Sequence, residues 1–238
     1  MKNEFIITSR VVAFREAMRI VEDTAKGHPG IMAAWGYSGR GKSECVKQYA
    51  ADTGAVYVYV RSQWSPRGLL GHICTKLNGM RPVQVDIAKE IICEELAKDR
   101  RTLLIDEADL LGIHCIEHLR DIHDLTGAPL VLVGEPALYA SLHARKRIWS
   151  RVTKTVEFGP VEIEDILLLG RKACDLKITP EGGLALQKRC RGDFRPLYHD
   201  LRNLETFVRD NGLDKVSGRV VGELPLPVRS PVPEKVPA

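Results

Sequence analysis

The sequence is short of several features that would assign a protein quickly. No apolar run approaches the roughly 20 residues that a membrane-spanning helix requires. The opening, "MKNEFIITSR", lacks the long apolar centre of a secretory signal. Six cysteines, at 45, 74, 93, 115, 174 and 190, are widely scattered and no two form a C-x-x-C pair. That spacing argues against a zinc cluster or a disulfide framework and for reduced, buried thiols. There is no internal repeat. No strong charge imbalance is present either: the net charge of +4 permits a nucleic-acid partner without requiring one. A cytoplasmic protein of a bacterial cell or phage-infected host, with no membrane partner, is the expectation.

What remains is a globular composition, with 44% hydrophobic and 28% charged residues over 238 positions, long enough to bury a proper core. Residues 10–26 place Val11, Phe14, Ala17, Met18 and Val21 at helical spacing. Four short apolar runs follow: "IMAAW" (31–35), "AVYVYV" (55–60), "TLLID" (102–106) and "LVLVG" (130–134), and "TKTVEF" (153–158) reads as a fifth strand. Runs this short with little polar alternation suit strands covered on both faces. Helical patterns at 43–53, 67–78, 85–98 and 109–126 separate them, which predicts a parallel sheet flanked by helices. After Gly159-Pro160 three helical stretches follow, 162–175, 180–190 and 195–211, with Thr179-Pro180 as a capped start for the second. The expected organisation is therefore an α/β core (1–159), a small all-α subdomain (160–215) and a flexible proline-rich tail (216–238).

The chemistry concentrates in two places. "GYSGRGKS" (36–43) satisfies G-x-x-x-x-G-K-[ST] through Gly36, Gly41, Lys42 and Ser43, between a buried strand and a helix. Amides freed by such glycines, with the helix N-terminus, can surround a β-phosphate. Ser38, Gly39, Arg40 and Glu44 complete the candidate nucleotide loop. Lys42 would reach the β- and γ-phosphates of ATP, and the Ser43 hydroxyl would take a place on Mg²⁺. Some sixty residues on, "TLLIDEAD" sets Asp106 and Glu107 at the end of a buried strand. Asp106 suits the Mg²⁺ shell and Glu107 suits activation of a water, which points to hydrolysis rather than transfer to another acceptor.

With these residues the chain resembles an AAA+ P-loop ATPase whose C-terminal helices form a lid. "GDFRPLYHDLRNLE" (192–205) is similar to that superfamily's sensor-2 motif, which makes Arg195 a candidate reader of the γ-phosphate. "SR" before the fifth strand resembles the arginine-finger position, so Arg151, with Arg147 second, is implied to act in a neighbouring subunit's site. The size and the stretches "LVLVGEPALYASL" and "GDFRPLYHDL" narrow the resemblance to transposition ATP-binding proteins of the Mu B, TniB and TnsC kind, over roughly residues 8–211. That resemblance implies slow ATP hydrolysis stimulated by DNA or a partner, self-assembly into rings or filaments on duplex DNA, and recruitment of a transposase. A replication initiator or helicase loader is the alternative within the superfamily. A nucleotide switch with negligible turnover is another, because Glu135 stands where sensor 1 often carries Asn, Gln or Thr.

Only about ten residues precede the first helical stretch, so DNA contact is expected from the core, at Arg61, Arg67, Lys76 and Arg81. His114 and His118 are four apart, but "HCIEH" is not H-E-x-x-H and no third ligand is evident. Trp64 and Trp149 are expected in loops.

Overall fold

A computed structural model describes residues 5–23, 30–62 and 64–225. The chain divides into two compact units, Ser9–Gly159 and a second built from Met1–Thr8 with Pro160–Ala238.

The first unit follows the apolar pattern closely. Helix α1 (Ser9–Glu22) buries Val11, Phe14, Ala17, Met18 and Val21, the five positions its period singles out. Strands β1 (Ile31–Trp35), β2 (Val56–Tyr59), β3 (Leu103–Asp106), β4 (Leu130–Gly134) and β5 (Val152–Glu157) form one sheet in the order β2-β3-β4-β1-β5. Every pairing is parallel. The three inner strands are apolar along their length because both faces are covered, while edge strands β2 and β5 alternate. Helices α2 (Lys42–Thr53), α3 (Pro66–Asn78), α4 (Val85–Lys98) and α5 (Ile113–Thr126) link them. Ile31, Ala33, Ile105 and Leu132 pack on one sheet face with Leu69, Ile92 and Leu119 of α3, α4 and α5.

Local chemistry sets the helix ends. The Ser65 hydroxyl accepts from the Gly68 amide ahead of Pro66, and Gly54, Gly79 and Gly127 end their helices in left-handed geometry. The helix expected over 109–126 is divided: a 3₁₀ turn, Ala108–Leu110, precedes α5, which starts only after Gly112. Two short helices escaped the sequence pattern, α6 (Pro136–His143) and α7 (Lys146–Trp149). Trp149 therefore closes a helix rather than sitting in a loop, with its ring edge-on to Tyr139 at 5.5 Å.

The second unit packs α8 (Ile163–Cys174), α9 (Pro180–Cys190) and α10 (Phe194–Asp210) around Leu169, Leu186, Leu197 and Leu201. Thr179 caps α9 by accepting from Gly182, with Pro180 in the first turn. The chain beyond 215 differs from expectation. Val216 is fully buried and pairs with Ile178 in a parallel bridge, and Ser217 caps a further helix, α11 (Gly218–Gly222). Arg189 then donates to the Pro225 carbonyl at 2.6 Å while paired with buried Asp200. Residues 216–225 are thus part of the second unit, because Val216, Val221 and Leu224 complete its apolar core. The remaining tail, 226–238, lies outside the described residues.

All six cysteines are free thiols. Burial pushes the Cys45 thiol up to about 12, so it packs as an inert small apolar group. His123 bridges two elements, with Nδ1 at 2.7 Å from the Ala128 carbonyl and Nε2 accepting from the Gly30 amide. Among the described residues no group of three acidic, His or Cys side chains is placed to hold a metal. No helix among them is long and apolar enough to cross a membrane.

Candidate nucleotide site and basic cleft

Parallel strands deliver their following loops to one edge of the sheet, and the candidate residues of the first unit gather there. The loop 36–43 leaves β1 and runs into α2. Gly36 is anchored by its amide to the Gly134 carbonyl of β4 at 3.2 Å. A Cβ on Gly36 would stand 2.3 Å from the Phe158 carbonyl, so only glycine permits this approach. Gly39 and Gly41 take φ of 77° and 84°, which turns successive amides toward the concave side of the loop. Ser38, Gly39 and Arg40 form the crest, Ser43 stands in the first turn of α2, and Glu44 faces solvent in an ion pair with Lys47.

The Lys42 side chain is buried within the loop and donates to the carbonyls of Gly36 at 2.5 Å and Tyr37 at 3.0 Å. Burial pulls its pKa below the ordinary lysine value, against the opposing pull of Glu107, Glu135, Asp106 and Asp109. One buried ammonium thus faces several carboxylates, a balance that favours a further cation.

Asp106 ends β3 and is completely buried. One oxygen accepts from the Tyr57 hydroxyl at 2.8 Å and the other from the Glu107 amide at 3.0 Å. Glu107 follows with φ 57°, a left-handed conformation that is strained for a residue with a side chain. Burial raises its pKa above the ordinary carboxylate value, and Asp106 and Asp109 push in the same direction. Such a carboxyl is a stronger base than an exposed one. Asp109, which the sequence suggested as a helix cap, instead reaches across to β4 and accepts from the Glu135 amide at 3.0 Å. Gly134 is small for that reason, since a Cβ there would meet the Asp109 carboxylate at 2.3 Å. Glu135 caps α6 and adds its charge to the same edge.

The donor set suits Mg²⁺ carried by a nucleotide. That ion takes one or two protein oxygens and draws its others from phosphates and water, so no larger acidic cluster is needed. Asp106 and Ser43 are the protein oxygens that would hold it.

Arg151 lies elsewhere. It precedes β5, whose Val152 pairs with Ile31 at the start of β1, and so sits at the opposite edge of the sheet from the loop. Its guanidinium donates to Asp124 of α5 at 2.6 and 2.9 Å and to the Arg147 carbonyl at 2.9 Å. Arg195 is exposed in the first turn of α10 in the second unit, where Asp193 accepts from its amide at 2.8 Å.

Three of the four basic residues named for DNA, Arg61, Lys76 and Arg81, line one cleft of 690 Å³ beside β2 and α3. Arg67 is exposed on α3 and does not line it. The sequence reading missed Tyr57, Tyr59 and His72 on the same walls. The two tyrosines had a signal, because i and i+2 on a strand share a face.

These features meet their family in comparison. The AAA domain family matches residues 25–142, a span that holds the phosphate loop, Asp106, Glu107 and Glu135. The chain belongs to the AAA+ family. Its sheet order and flanking helices are those of a P-loop NTPase fold. Among curated proteins this AAA+ chain is 28% identical over 145 residues to the Mu-like prophage FluMu DNA transposition protein B of Haemophilus influenzae, covering 57% of the chain and 50% of that protein. It is 27% identical over 128 residues to a potential ATP-binding protein of Staphylococcus aureus, covering 50% and 47%. The chain therefore spans about half the length of these relatives. Similar solved folds include the ORC2 protein of Aeropyrum pernix (TM-score 0.63, 16% identity, 92% of this chain and 68% of that one). Cdc6p of Pyrobaculum aerophilum (0.61, 17%, 90% and 66%) and the RuvB motor of Thermotoga maritima (0.56, 18%, 90% and 66%) share it too.

Proposed function

We propose that this AAA+ protein is an ATPase that assembles on duplex DNA in its ATP state and delivers a transposase to target sites. The observation that carries the catalytic half is the meeting of the glycine loop, Lys42, Asp106 and Glu107 at one sheet edge. The similarity to a transposition protein B supports the biological half.

In this reading the loop amides and Lys42 bind the phosphates. Mg²⁺ held by Ser43 and Asp106 would supply charge neutralisation at the β- and γ-oxygens. Glu107 orients and deprotonates the attacking water, and its raised pKa strengthens it as a base. Tyr57 and the Glu107 amide hold Asp106 in one orientation. Arg151 serves a neighbouring subunit and Arg195 responds to nucleotide state. The basic cleft supplies sequence-tolerant contacts to phosphates.

Electron microscopy of the protein with duplex DNA tests this. Rings or filaments on DNA with ATP or a slowly hydrolysed analogue, absent with ADP, are expected. No DNA-bound assembly under any nucleotide would refute it. The likeness to ORC2 and Cdc6p folds favours a second reading, an initiator or helicase loader, which a helicase rather than a transposase as the co-purifying partner would support. Glu135 favours a third, a binding switch, which loses its ground if Glu107→Gln abolishes a measurable turnover.

A further inference from the structure

The cleft beside β2 contains more than a phosphate patch needs. Arg61, Lys76 and Arg81 converge on it, no carboxylate lines it, and none of the three forms an ion pair among the described residues. Elsewhere lysines and arginines are mostly neutralised, as in Arg15–Asp52, Lys89–Asp121 and Arg189–Asp200. Three like charges held together without a counter-ion repel one another, and an anion relieves that repulsion.

Between these cations the walls are aromatic. Trp64 and His72 stand 5.0 Å apart, ring centre to ring centre, with their planes tilted by 54°. Tyr59 presents its ring 47% exposed from the neighbouring strand. Trp64 is fixed in place, its carbonyl accepting from the Cys115 thiol and its ring packed on the core. Burial, with the charges of Lys76, Arg81 and Arg61, lowers the pKa of His72, so at neutral pH it presents a neutral face rather than a fourth positive charge. A duplex keeps its bases stacked inside and could use only the cations. An unpaired base offers the flat face that the aromatic walls match.

We infer that this cleft seats one unpaired nucleotide, with its base against Trp64, His72 and Tyr59 and its flanking phosphates on Arg61, Lys76 and Arg81. The inference rests on the DNA-binding reading above and deepens it: the protein prefers DNA whose stacking is already broken. Opening a paired base costs unstacking energy that a bulge, gap or single strand has already met.

The test compares an intact duplex, the same duplex with a three-nucleotide bulge, and heparin as a polyanion without bases, all with the full chain and a slowly hydrolysed ATP analogue. The bulged duplex is expected to bind about tenfold more tightly than the intact one, the effect of one stacked base. It should quench tryptophan emission, and Trp64→Phe should remove that quench although Trp35 and Trp149 remain. Tyr59→Ala, on an exposed side chain, should bring the bulged-to-intact ratio to near one, whereas Arg61→Gln should weaken both duplexes. Equal binding of the two duplexes without quenching, or heparin quenching as the bulge does, overturns the inference and leaves duplex binding standing. Failure to bind any DNA overturns both.

Discussion

Glu107 combines two costs at one position, a left-handed backbone and a partly buried carboxylate among other carboxylates. Its native pKa is raised, so between the ordinary value of 4.5 and the native value the native state keeps a proton that the unfolded chain releases. Stability therefore falls as pH rises through that window and stays lower above it. Glu107→Gln should raise the melting temperature at pH 7 and change it little at pH 4, which a thermal scan at both values checks. The same variant should keep ATP affinity and lose turnover by about 10²–10⁴-fold, read by phosphate release. In the parent, the acid limb of the pH–rate profile should lie above the usual carboxylate range. Glu107→Gly addresses the other cost: it should add about 1 kcal/mol by relieving the positive φ, at the expense of activity. A charge placed where it is least comfortable is what a water-activating base requires.

Glycines 36 and 134 matter at the scale of elements, because each marks a close approach between strands and loops. Gly134→Ala would force the Asp109 carboxylate off the Glu135 amide, since the new Cβ would lie 2.3 Å from Asp109 Oδ1. A loss of about 1–3 kcal/mol in urea unfolding is expected, with reduced turnover as the end of β4 shifts. The sequence makes the elements themselves plain. Buried strands declare themselves as apolar runs, and α1 buries every position its period picked out. It does not reveal α6 and α7, of eight and four residues, because such short helices are too brief to display a period. The helix start at 109 was misplaced for a different reason. Asp109 reads locally as a cap, yet its carboxylate is taken by an amide 26 residues away, which no local pattern encodes.

For the whole molecule the edge-to-edge geometry of the sheet decides how subunits must cooperate. Arg151 flanks the beginning of β1 through Val152 and Ile31, whereas the phosphate loop begins after Trp35, about 13 Å of strand further on. It cannot serve its own loop in this arrangement and is free to serve another's. If it acts in trans, Arg151→Ala and Glu107→Gln should each lack turnover alone, and mixing them should restore part of it. Phosphate release from the mixture above the sum of the separate samples is the expected result, and a merely additive result would exclude the trans role. Beyond the ATPase unit, truncation after residue 215 should destabilise the second unit, because Val216 and Val221 are fully buried and each contributes about 1.5–3 kcal/mol. Limited proteolysis reads this as early cleavage within α8–α10.

The sequence by itself determined the α/β class, the strand order in the chain, the phosphate loop and the acidic pair that follows β3. These are written in short-range pattern: apolar runs, a glycine spacing, two acids at a strand end. Only the tertiary structure decided that Tyr57 holds Asp106, that Asp109 crosses to β4, that residues 216–225 close the second core, and that three scattered cations and three aromatic rings share one cleft. Each of these joins residues distant in the chain through a side chain that could have pointed elsewhere, and the packing of strands and helices fixes where it points.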